Sequence, residues 1–219
     1  FDIVRKLPEG SQVALDLVDA GRMHLAAGRS RFTLATLPRE DFPHLAEGEL
    51  PYRFSLSAGD LKRLIEKTRF AVSTEETRHY LNGIYLHSID VDGTLFLRAV
   101  ATDGHRLAKI DLPAPDGVTG MPGVIIPRKA VGEIHKLLDG VDDDIQIALS
   151  DAKIRVRAGS ATMTSKLIDA TFPDYQRVIP QGNSQILTVG RQEFAEGVDR
   201  VATVATDKTK AIKLSLGEG

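Results

Sequence analysis

Two short stretches of the sequence hold most of the side chains that could take part in chemistry. Residues 101–107 read Ala-Thr-Asp-Gly-His-Arg-Leu, and residues 172–180 read Phe-Pro-Asp-Tyr-Gln-Arg-Val-Ile-Pro. Asp103 and His105 have the side chains of an acid–base pair, such as a hydrolase would use, but no nucleophile motif accompanies them. The alternatives are a tight turn that uses the Asp and the Gly, and a proline-bounded linker between domains.

Metal-ligand candidates are scattered along the chain. No two histidines share an element at metal-ligand spacing; the six are His24, His44, His79, His87, His105 and His135. The three aspartates at 142–144 could hold Mg²⁺, or could belong to a solvated loop between a helix and a strand. The lack of cysteine excludes disulfides and thiolate chemistry and suits a reducing compartment. We therefore expect no catalytic residues, no metal and no cofactor.

The composition is that of a globular chain without a large excess of positive charge. Hydrophobic residues make up 42% of the 219 positions, charged residues 26%, and the formal net charge is −2. Any contact with DNA must therefore use a local basic surface. Because no apolar run approaches the roughly 18 residues of a membrane helix and no signal peptide is recognisable, we expect a cytoplasmic location and no membrane contact.

Both ends of the sequence predict a fragment. Residues 1–7 read as the last turns of a helix that Pro8 and Gly10 end, and residues 214–219 read as an interrupted strand.

The sequence also contains an internal repeat, which is typical of tandem domains. One match aligns Phe42-Pro43 with Phe172-Pro173, 130 positions apart, together with the residues before and after them. A second aligns residues 56–74 with residues 187–206 at an offset of 131 to 133. A period of this length is within the normal range for a domain. We expect the end of one domain at 1–50, a complete domain at 51–182 and the start of a third at 183–219.

Two helices are predicted in the complete domain. Ser57 begins a capping box in which Asp60 replaces the usual Glu, and the apolar face that follows includes Leu61, Leu64, Ile65 and Thr68. The second helix begins at Pro127, placed at the first helical position, and Gly140 ends it as the C′ residue.

Strands are predicted between and after these helices. Residues 84–89, 95–102 and 105–110 give three strands between them, and residues 145–149 and 154–156 alternate after the second helix. Asp103-Gly104 predicts a two-residue hairpin turn with both residues at positive φ. The pattern indicates an α+β fold with two helices packed on antiparallel sheets in each domain.

At these motifs the chain resembles the bacterial DNA sliding clamps, the β subunits of DNA polymerase III. The resemblance extends over nearly the whole chain and keeps the order and spacing of its blocks. The matching blocks lie at residues 29–32, 80–83, 101–108, 126–129, 164–167 and 172–175. The family has three similar domains, which agrees with the repeat found independently above.

The resemblance implies a non-catalytic homodimeric ring around duplex DNA, with helices lining the hole. It implies as partners the polymerase α subunit, the clamp loader and repair polymerases, which dock short peptides in a pocket. The expected pocket residues are Leu81, Thr102, Gly104, His105, Arg106, Leu107, Pro173, Arg177 and Val178. Apolar walls with a few fixed polar groups suit an extended peptide.

The family's DNA contacts carry over to a second set of residues. The expected contacts are Arg5, Arg78, His79, Tyr80, Arg128 and Lys129. Glu75 and His79 stand where relatives often have Gln and Tyr, and Glu75 would repel phosphate, so this loop is expected to contribute less here.

Two other classes of function compete with this interpretation. A hydrolase that uses Asp103 and His105 lacks an evident nucleophile. A conventional DNA-binding protein would have a recognition-helix motif and a more basic composition.

Overall fold

The amino-terminal part of the chain forms a short helix and a three-stranded antiparallel sheet. The structure, a computed structural model, describes residues 1–19, 21–42, 48–205 and 212–215. The elements are α1 (Asp2–Arg5), β1 (Ala14–Asp19), β2 (Arg22–Ala27) and β3 (Ser30–Ala35), with the strands in the order β1-β2-β3. The helix predicted at the start of the chain is confirmed. The repeated residues Pro43, His44 and Leu45 lie outside the described residues.

The central part of the chain forms two four-stranded antiparallel sheets and two helices. The elements are β4 (Tyr52–Ser57), α2 (Ala58–Glu66), β5 (Gly83–Val91), β6 (Thr94–Thr102), β7 (Leu107–Pro113), β8 (Val124–Pro127), α3 (Arg128–Leu137), β9 (Asp144–Leu149), β10 (Lys153–Ala158) and β11 (Ala161–Lys166). The sheets have the orders β11-β10-β9-β4 and β7-β6-β5-β8. This confirms the predicted α+β class. Strand β8, which pairs with β5, was missed by the sequence interpretation.

Both helices and both sheets share one apolar core. Leu61, Leu64 and Ile65 of α2 are buried together with Val131 and Ile134 of α3. The predicted alternation of β9 and β10 is confirmed, since each strand buries every second side chain. Each fully buried Leu or Ile contributes about 1.5–3 kcal/mol, so this core fixes the positions of the loops around it.

The ends of α2 and α3 differ from prediction in detail. The Ser57 hydroxyl accepts the Asp60 N–H at 3.0 Å and donates to the Asp60 carboxylate at 2.9 Å, which confirms the cap. Helix α2 ends at Glu66, so Thr68 lies outside it, buried, with its hydroxyl donating to the Leu64 carbonyl at 2.6 Å. Pro127 is the N-cap of α3 rather than its first residue, because it is also the last residue of β8. The C-cap is Leu138, which places Gly140 one position later than predicted.

The hairpin turn predicted at Asp103-Gly104 is wrong. Thr102 pairs with Leu107, so four residues separate the strands and β7 begins at Leu107 rather than at His105. Only Gly104 of this loop has a positive φ, +89°. The two-residue turn with both residues at positive φ occurs instead at Asp92-Gly93, where φ is 53° and 79°.

The strand positions follow the predicted repeat. Strands β1, β2 and β3 recur as β9, β10 and β11, with their first residues 130 or 131 positions apart. The N-cap of α2 is Ser57, and Gly190 has the same role for α4 (Arg191–Ala202).

The chain divides into two units, Phe1–Phe172 and Pro173–Gly219. The second contains a short 3-10 helix at Tyr175–Val178 and helix α4. Residues 212–215 are neither helix nor strand, so the strand predicted from residue 214 is not found at 214–215, and residues 216–219 lie outside the described residues. None of the helices in the described part of the chain combines the length and apolar character needed to cross a bilayer.

Candidate functional site

The loop between β6 and β7 is held by hydrogen bonds from its own side chains. The Thr102 hydroxyl accepts the N–H of Gly104 at 3.1 Å and donates to the carbonyl of Arg106 at 2.7 Å. The Asp103 carboxylate accepts the backbone N–H groups of His105 and Arg106, both at 3.0 Å. Asp and Thr side chains commonly fix turns in this way. The loop therefore has a defined shape although its residues are largely exposed.

These contacts give Asp103 a structural role. Partial burial alone would raise the pKa of its carboxyl, but the hydrogen bonds from the His105 and Arg106 backbone and from the Arg106 side chain outweigh burial, and the pKa lies below its ordinary value. The carboxylate bonds the backbone of His105, and no bond to its imidazole occurs among the described residues. This arrangement weighs against an acid–base pair and hence against the hydrolase interpretation.

Arg106 is fixed at the rim of this loop by two neighbours. Its Nε donates to the Asp103 carboxylate at 3.0 Å, and its guanidinium lies over the ring of Phe70, 5.9 Å from the centroid. A cation over an aromatic face at this distance is attracted by the ring. Phe70 is 56% exposed, so its ring lies at the surface beside the guanidinium. Sequence reasoning missed Phe70, because nothing in its own neighbourhood marks it as a partner of a residue 36 positions away.

A second segment approaches the loop from the side of β5. Residues Glu76–Leu81 form a 3-10 helix that is interrupted at Arg78, where φ of −110° and ψ of 49° are not helical. A Cβ added to Gly104 would stand 2.9 Å from a guanidinium nitrogen of Arg78, so a larger residue would have to displace the end of that arginine. Leu81 ends this helix and is buried, whereas Leu107 at the start of β7 is half-buried. Leu81 thus belongs to the supporting core, and Leu107 presents part of its side chain to solvent.

Phe172 ends the first unit in a stack of rings. Its ring lies 4.7 Å from that of Tyr85 at an angle of 4°, and the His87 ring also stacks on Tyr85 at 4.7 Å. Gly123 packs against the same tyrosine, since an added Cβ would fall 2.1 Å from its hydroxyl. The packing of Phe172 against Tyr85 therefore explains why the repeated Phe-Pro pair has phenylalanine at this position.

The remaining pocket candidates, Pro173, Arg177 and Val178, belong to the second unit. Pro173 is its first residue. Arg177 and Val178 lie in the 3-10 helix, where the Arg177 Nε is 2.8 Å from the Asp174 carboxylate and Val178 is 68% exposed. An exposed valine beside an exposed arginine offers both an apolar and a charged contact.

The solvent side of the helix layer is rich in cations. Arg128 and Lys129 occupy the first turn of α3 and are exposed, and the N–H of Arg128 donates to the Asn82 carbonyl at 2.8 Å. On α2, Lys62 pairs with Asp139 at 3.3 Å, and Arg63 and Lys67 are exposed. The two helices are joined by the contact of His135 with Glu66 at 3.0 Å, and Lys136 pairs with Glu133. Cations still outnumber carboxylates on their solvent side, which is called the basic helix surface below.

The Asn82 contact brings the 76–81 helix next to the start of α3. Arg78 forms an ion pair with Glu75 at 3.1 Å, so Glu75 neutralises a cation of this loop. His79 and Tyr80 meet edge to face, with ring centroids 5.9 Å apart. Arg5 lies apart from this group at the end of α1, with its guanidinium over the ring of Phe1 at 5.6 Å.

No group of three or more potential metal ligands occurs within residues 1–19, 21–42, 48–205 and 212–215.

Comparison with known protein families gives three matches in chain order. The models for the N-terminal, central and C-terminal domains of the DNA polymerase III beta subunit match residues 1–46, 55–174 and 176–219. The beta sliding clamp of Caulobacter vibrioides is 49% identical over 220 residues, and that of Escherichia coli strain K12 is 38% identical over 218. Both alignments include 100% of this chain, which spans 59% and 58% of the lengths of these relatives.

Solved structures agree with the sequence matches. A sliding clamp from Bartonella birtlesii bound to griselimycin matches with a TM-score of 0.86 and 57% identity, over 94% of this chain and 55% of that one. A Caulobacter crescentus beta sliding clamp matches with a TM-score of 0.88 and 50% identity, with the same coverage of both chains. With its fold, its repeated strands and its three consecutive domain matches, the chain belongs to the DNA polymerase III beta subunit family, the bacterial sliding clamps.

Proposed function

We propose that the protein is the sliding clamp of a bacterial replicative polymerase, a non-catalytic ring that holds duplex DNA and docks other proteins. The observation that carries the proposal is the succession of three clamp domain matches along one chain. The proposed domains are residues 1–50, 51–182 and 183–219, of which the second is complete. Because the chain spans 59% of its curated relative from Caulobacter vibrioides, the proposal concerns the full-length protein.

The basic helix surface is the proposed DNA-facing side. Arg128 and Lys129 are exposed in the first turn of α3, where their charge opposes the helix dipole. Phosphate contacts of this kind are independent of sequence, which suits a ring that must slide. Arg78, His79 and Tyr80 would add to this surface, with Arg78 weakened by its ion pair to Glu75. Arg5 would contribute from the first domain.

The loop between β6 and β7 is proposed as one side of a peptide pocket. It offers an apolar side chain at Leu107 and a fixed cation at Arg106. Thr102, Gly104, His105 and the buried Leu81 are the other residues proposed for this side. Pro173, Arg177 and Val178 are the proposed contribution of the second unit. The expected ligands are short peptides of the polymerase α subunit, the clamp loader and repair polymerases.

Topological binding distinguishes a clamp from a protein that grips DNA directly. Full-length protein would be loaded onto a nicked circular plasmid by its clamp loader and passed through a sizing column. We expect co-elution that survives moderate salt and is lost when the plasmid is linearised, because a ring slides off a free end. Equal retention on circular and linear DNA would contradict encirclement, and elution of the full-length protein at the mass of a monomer would contradict the homodimeric ring.

The griselimycin complexes of relatives provide a second probe. Clamps from Bartonella birtlesii and Pseudomonas aeruginosa have been solved bound to griselimycin. We propose that this protein also binds it, at the site that docks partner peptides. Mutual displacement of griselimycin and a labelled peptide from the polymerase α subunit is expected in a competition titration. Simultaneous binding of both would separate the two sites.

A further inference from the structure

The sheet that contains β4, β9 and β10 has a second face, directed away from α2 and α3. Side chains alternate between the two faces of a strand, and Phe54, Ile147 and Val156 point into the core. Arg53 precedes Phe54, and Arg155 and Arg157 flank Val156, so the three arginines share the opposite face. Arg53 and Arg155 lie in line across the sheet, because both pair with Ala148 on the intervening strand.

This face forms the floor of a cavity. The segment 48–50 forms one of its sides, and the cavity has a volume of about 480 Å³. The three arginines line it together with Ser55 and Gln146, which also align with each other across β4 and β9. The volume is within the usual range of ligand pockets, roughly 300–1,000 Å³. Among the described residues, the lining is rich in hydrogen-bond donors and includes the carboxylate of Glu49.

Within the described part of the chain, the three arginines retain most of their N–H donors. Each makes one hydrogen bond through Nε: Arg53 to the Leu50 carbonyl at 3.2 Å, Arg155 to the Thr164 hydroxyl at 3.4 Å and Arg157 to the Gly159 carbonyl at 3.4 Å. None of the three forms an ion pair with a carboxylate within the described ranges. A guanidinium has five N–H donors, so each can still take a bidentate carboxylate.

We propose that this cavity is a second docking site, which binds an acidic peptide segment in extended conformation. Arg155 and Arg157 are two residues apart on one strand, a separation of about 6.4–6.8 Å. Alternate carboxylates of an extended peptide have the same spacing, so two of them can face these two arginines. Arg53 lies two strands away, about 9.4–9.8 Å from Arg155, and can meet a third carboxylate or the carboxyl terminus of the peptide.

Several features favour a peptide over nucleic acid. A duplex is too wide to enter a cavity of 480 Å³, and Glu49 at its wall opposes a continuous phosphate backbone. Leu50 and Ala148 add apolar lining that a peptide side chain can cover. The site is also on the opposite face of the sheet from the basic helix surface, so it can be occupied independently of DNA.

The test is a fluorescence anisotropy titration of the full-length protein with labelled acetyl-Glu-Gly-Glu-Gly-Glu at low ionic strength. The same peptide with Gln in place of Glu measures the requirement for charge. We expect the Glu peptide to bind at least tenfold more tightly, and added salt to weaken it. Equal binding of the two peptides would overturn the proposal.

Arginine variants test whether the Glu peptide binds in this cavity. Arg155→Gln with Arg157→Gln is expected to weaken the Glu peptide about tenfold or more, since each change removes a charge-assisted contact. Arg53→Gln, on an exposed side chain, is expected to weaken it severalfold without affecting the fold. The matched control is Arg29→Gln with Arg31→Gln, two exposed arginines in the turn before β3 and in β3 itself, which should leave affinity within twofold. An equal loss in the control would make the attraction non-specific, and displacement of the peptide by an equally charged oligonucleotide at lower concentration would assign the site to nucleic acid. Either result overturns the proposal.

Discussion

Arg98 and Asp111 stand directly opposite each other on β6 and β7 and are joined by two hydrogen bonds. The guanidinium donates through Nη2 to Oδ2 at 2.8 Å and through Nε to Oδ1. The Arg98 side chain is only 8% exposed and that of Asp111 28%. Removal of one partner from such a pair leaves a nearly buried charge without its counterion. The pair holds together the two strands that carry the loop at 103–106.

Asp111→Asn should therefore lower the free energy of unfolding by about 2–3 kcal/mol at pH 7, toward the lower end for buried pairs because Asp111 is partly exposed. The hydrogen bond from Arg98 holds the pKa of Asp111 below its ordinary value. A depressed carboxyl pKa contributes stability above the unfolded pKa, and that contribution is lost as pH falls through the folded pKa. Urea titrations should thus show the difference between wild type and variant shrinking below about pH 4. Asp151→Asn, at an exposed turn, is the control and should change stability little; a wild-type advantage that stays constant down to pH 2 would refute the linkage.

Gly104→Ala and Gly132→Ala should have opposite effects on stability. Gly104 has φ of +89°, and an added methyl would also displace the Arg78 guanidinium, so alanine is expected to destabilise by about 1–2 kcal/mol. Gly132 is in the middle of α3 with open space around it, so alanine there should stabilise by about 0.5–1 kcal/mol. Chemical denaturation of the two variants checks both signs. We also expect Gly104→Ala to weaken the binding of partner peptides, because it changes the shape of the loop between β6 and β7. Equal peptide affinity of this variant and the wild type would contradict a role of that shape in docking.

Leu107→Asp should abolish most of the binding of a Gln- and Leu-rich clamp-binding peptide. Covering one leucine is worth roughly 1.5–3 kcal/mol, so at least a tenfold loss is expected from an affinity in about the micromolar range. The matched control is Val91→Asp, at an exposed side chain of the complete domain beside the Asp92-Gly93 turn, which should bind normally. Anisotropy titration of full-length protein decides the matter, and equal affinity of wild type and Leu107→Asp would place the pocket elsewhere.

Arg128→Ala combined with Lys129→Ala should reduce loading onto primed circular DNA without lowering the unfolding midpoint. Both side chains are exposed, and cations in the first turn of a helix oppose its dipole, so their removal leaves stability equal or slightly higher. For every phosphate that the variant no longer neutralises, the slope of log K against log salt concentration should become shallower by about 0.9. Arg53→Ala with Arg157→Ala removes the same charge from the opposite face of the sheet and should load normally. Unchanged loading by the Arg128 and Lys129 variant would disprove the assignment of the DNA-facing side.

Local patterns predicted the framework of the fold but not the details of the site. The two helices could be predicted because apolar residues recur at helical spacing, as Leu61, Leu64 and Ile65 do on α2. The loop after Thr102 could not, since its conformation depends on which backbone groups the Asp103 carboxylate bonds. An Asp-Gly pair carries the same signal whether it forms a two-residue turn, as at Asp92-Gly93, or part of a longer loop.

Sequence patterns also could not predict contacts between residues that are far apart in the chain. Arg53 and Arg155 are about a hundred positions apart, and only the sheet order β10-β9-β4 brings them onto one face. Phe70 and Arg106 likewise meet through tertiary packing. The residues proposed to bind peptide and DNA could be predicted because their motifs resemble those of a known family. The arginine cluster lies outside those motifs, so the resemblance did not predict it.

The parallel stack of Tyr85 and Phe172 makes the protein its own spectroscopic reporter. Aromatic ring currents shift the resonances of protons held above a neighbouring ring, and these two rings are 4.7 Å apart at an angle of 4°. The chain has no tryptophan and four tyrosines, so its aromatic spectrum is uncrowded. The chemical shifts of these two side chains should therefore report, without an attached dye, whether Phe172 keeps its contact with Tyr85 when a partner binds.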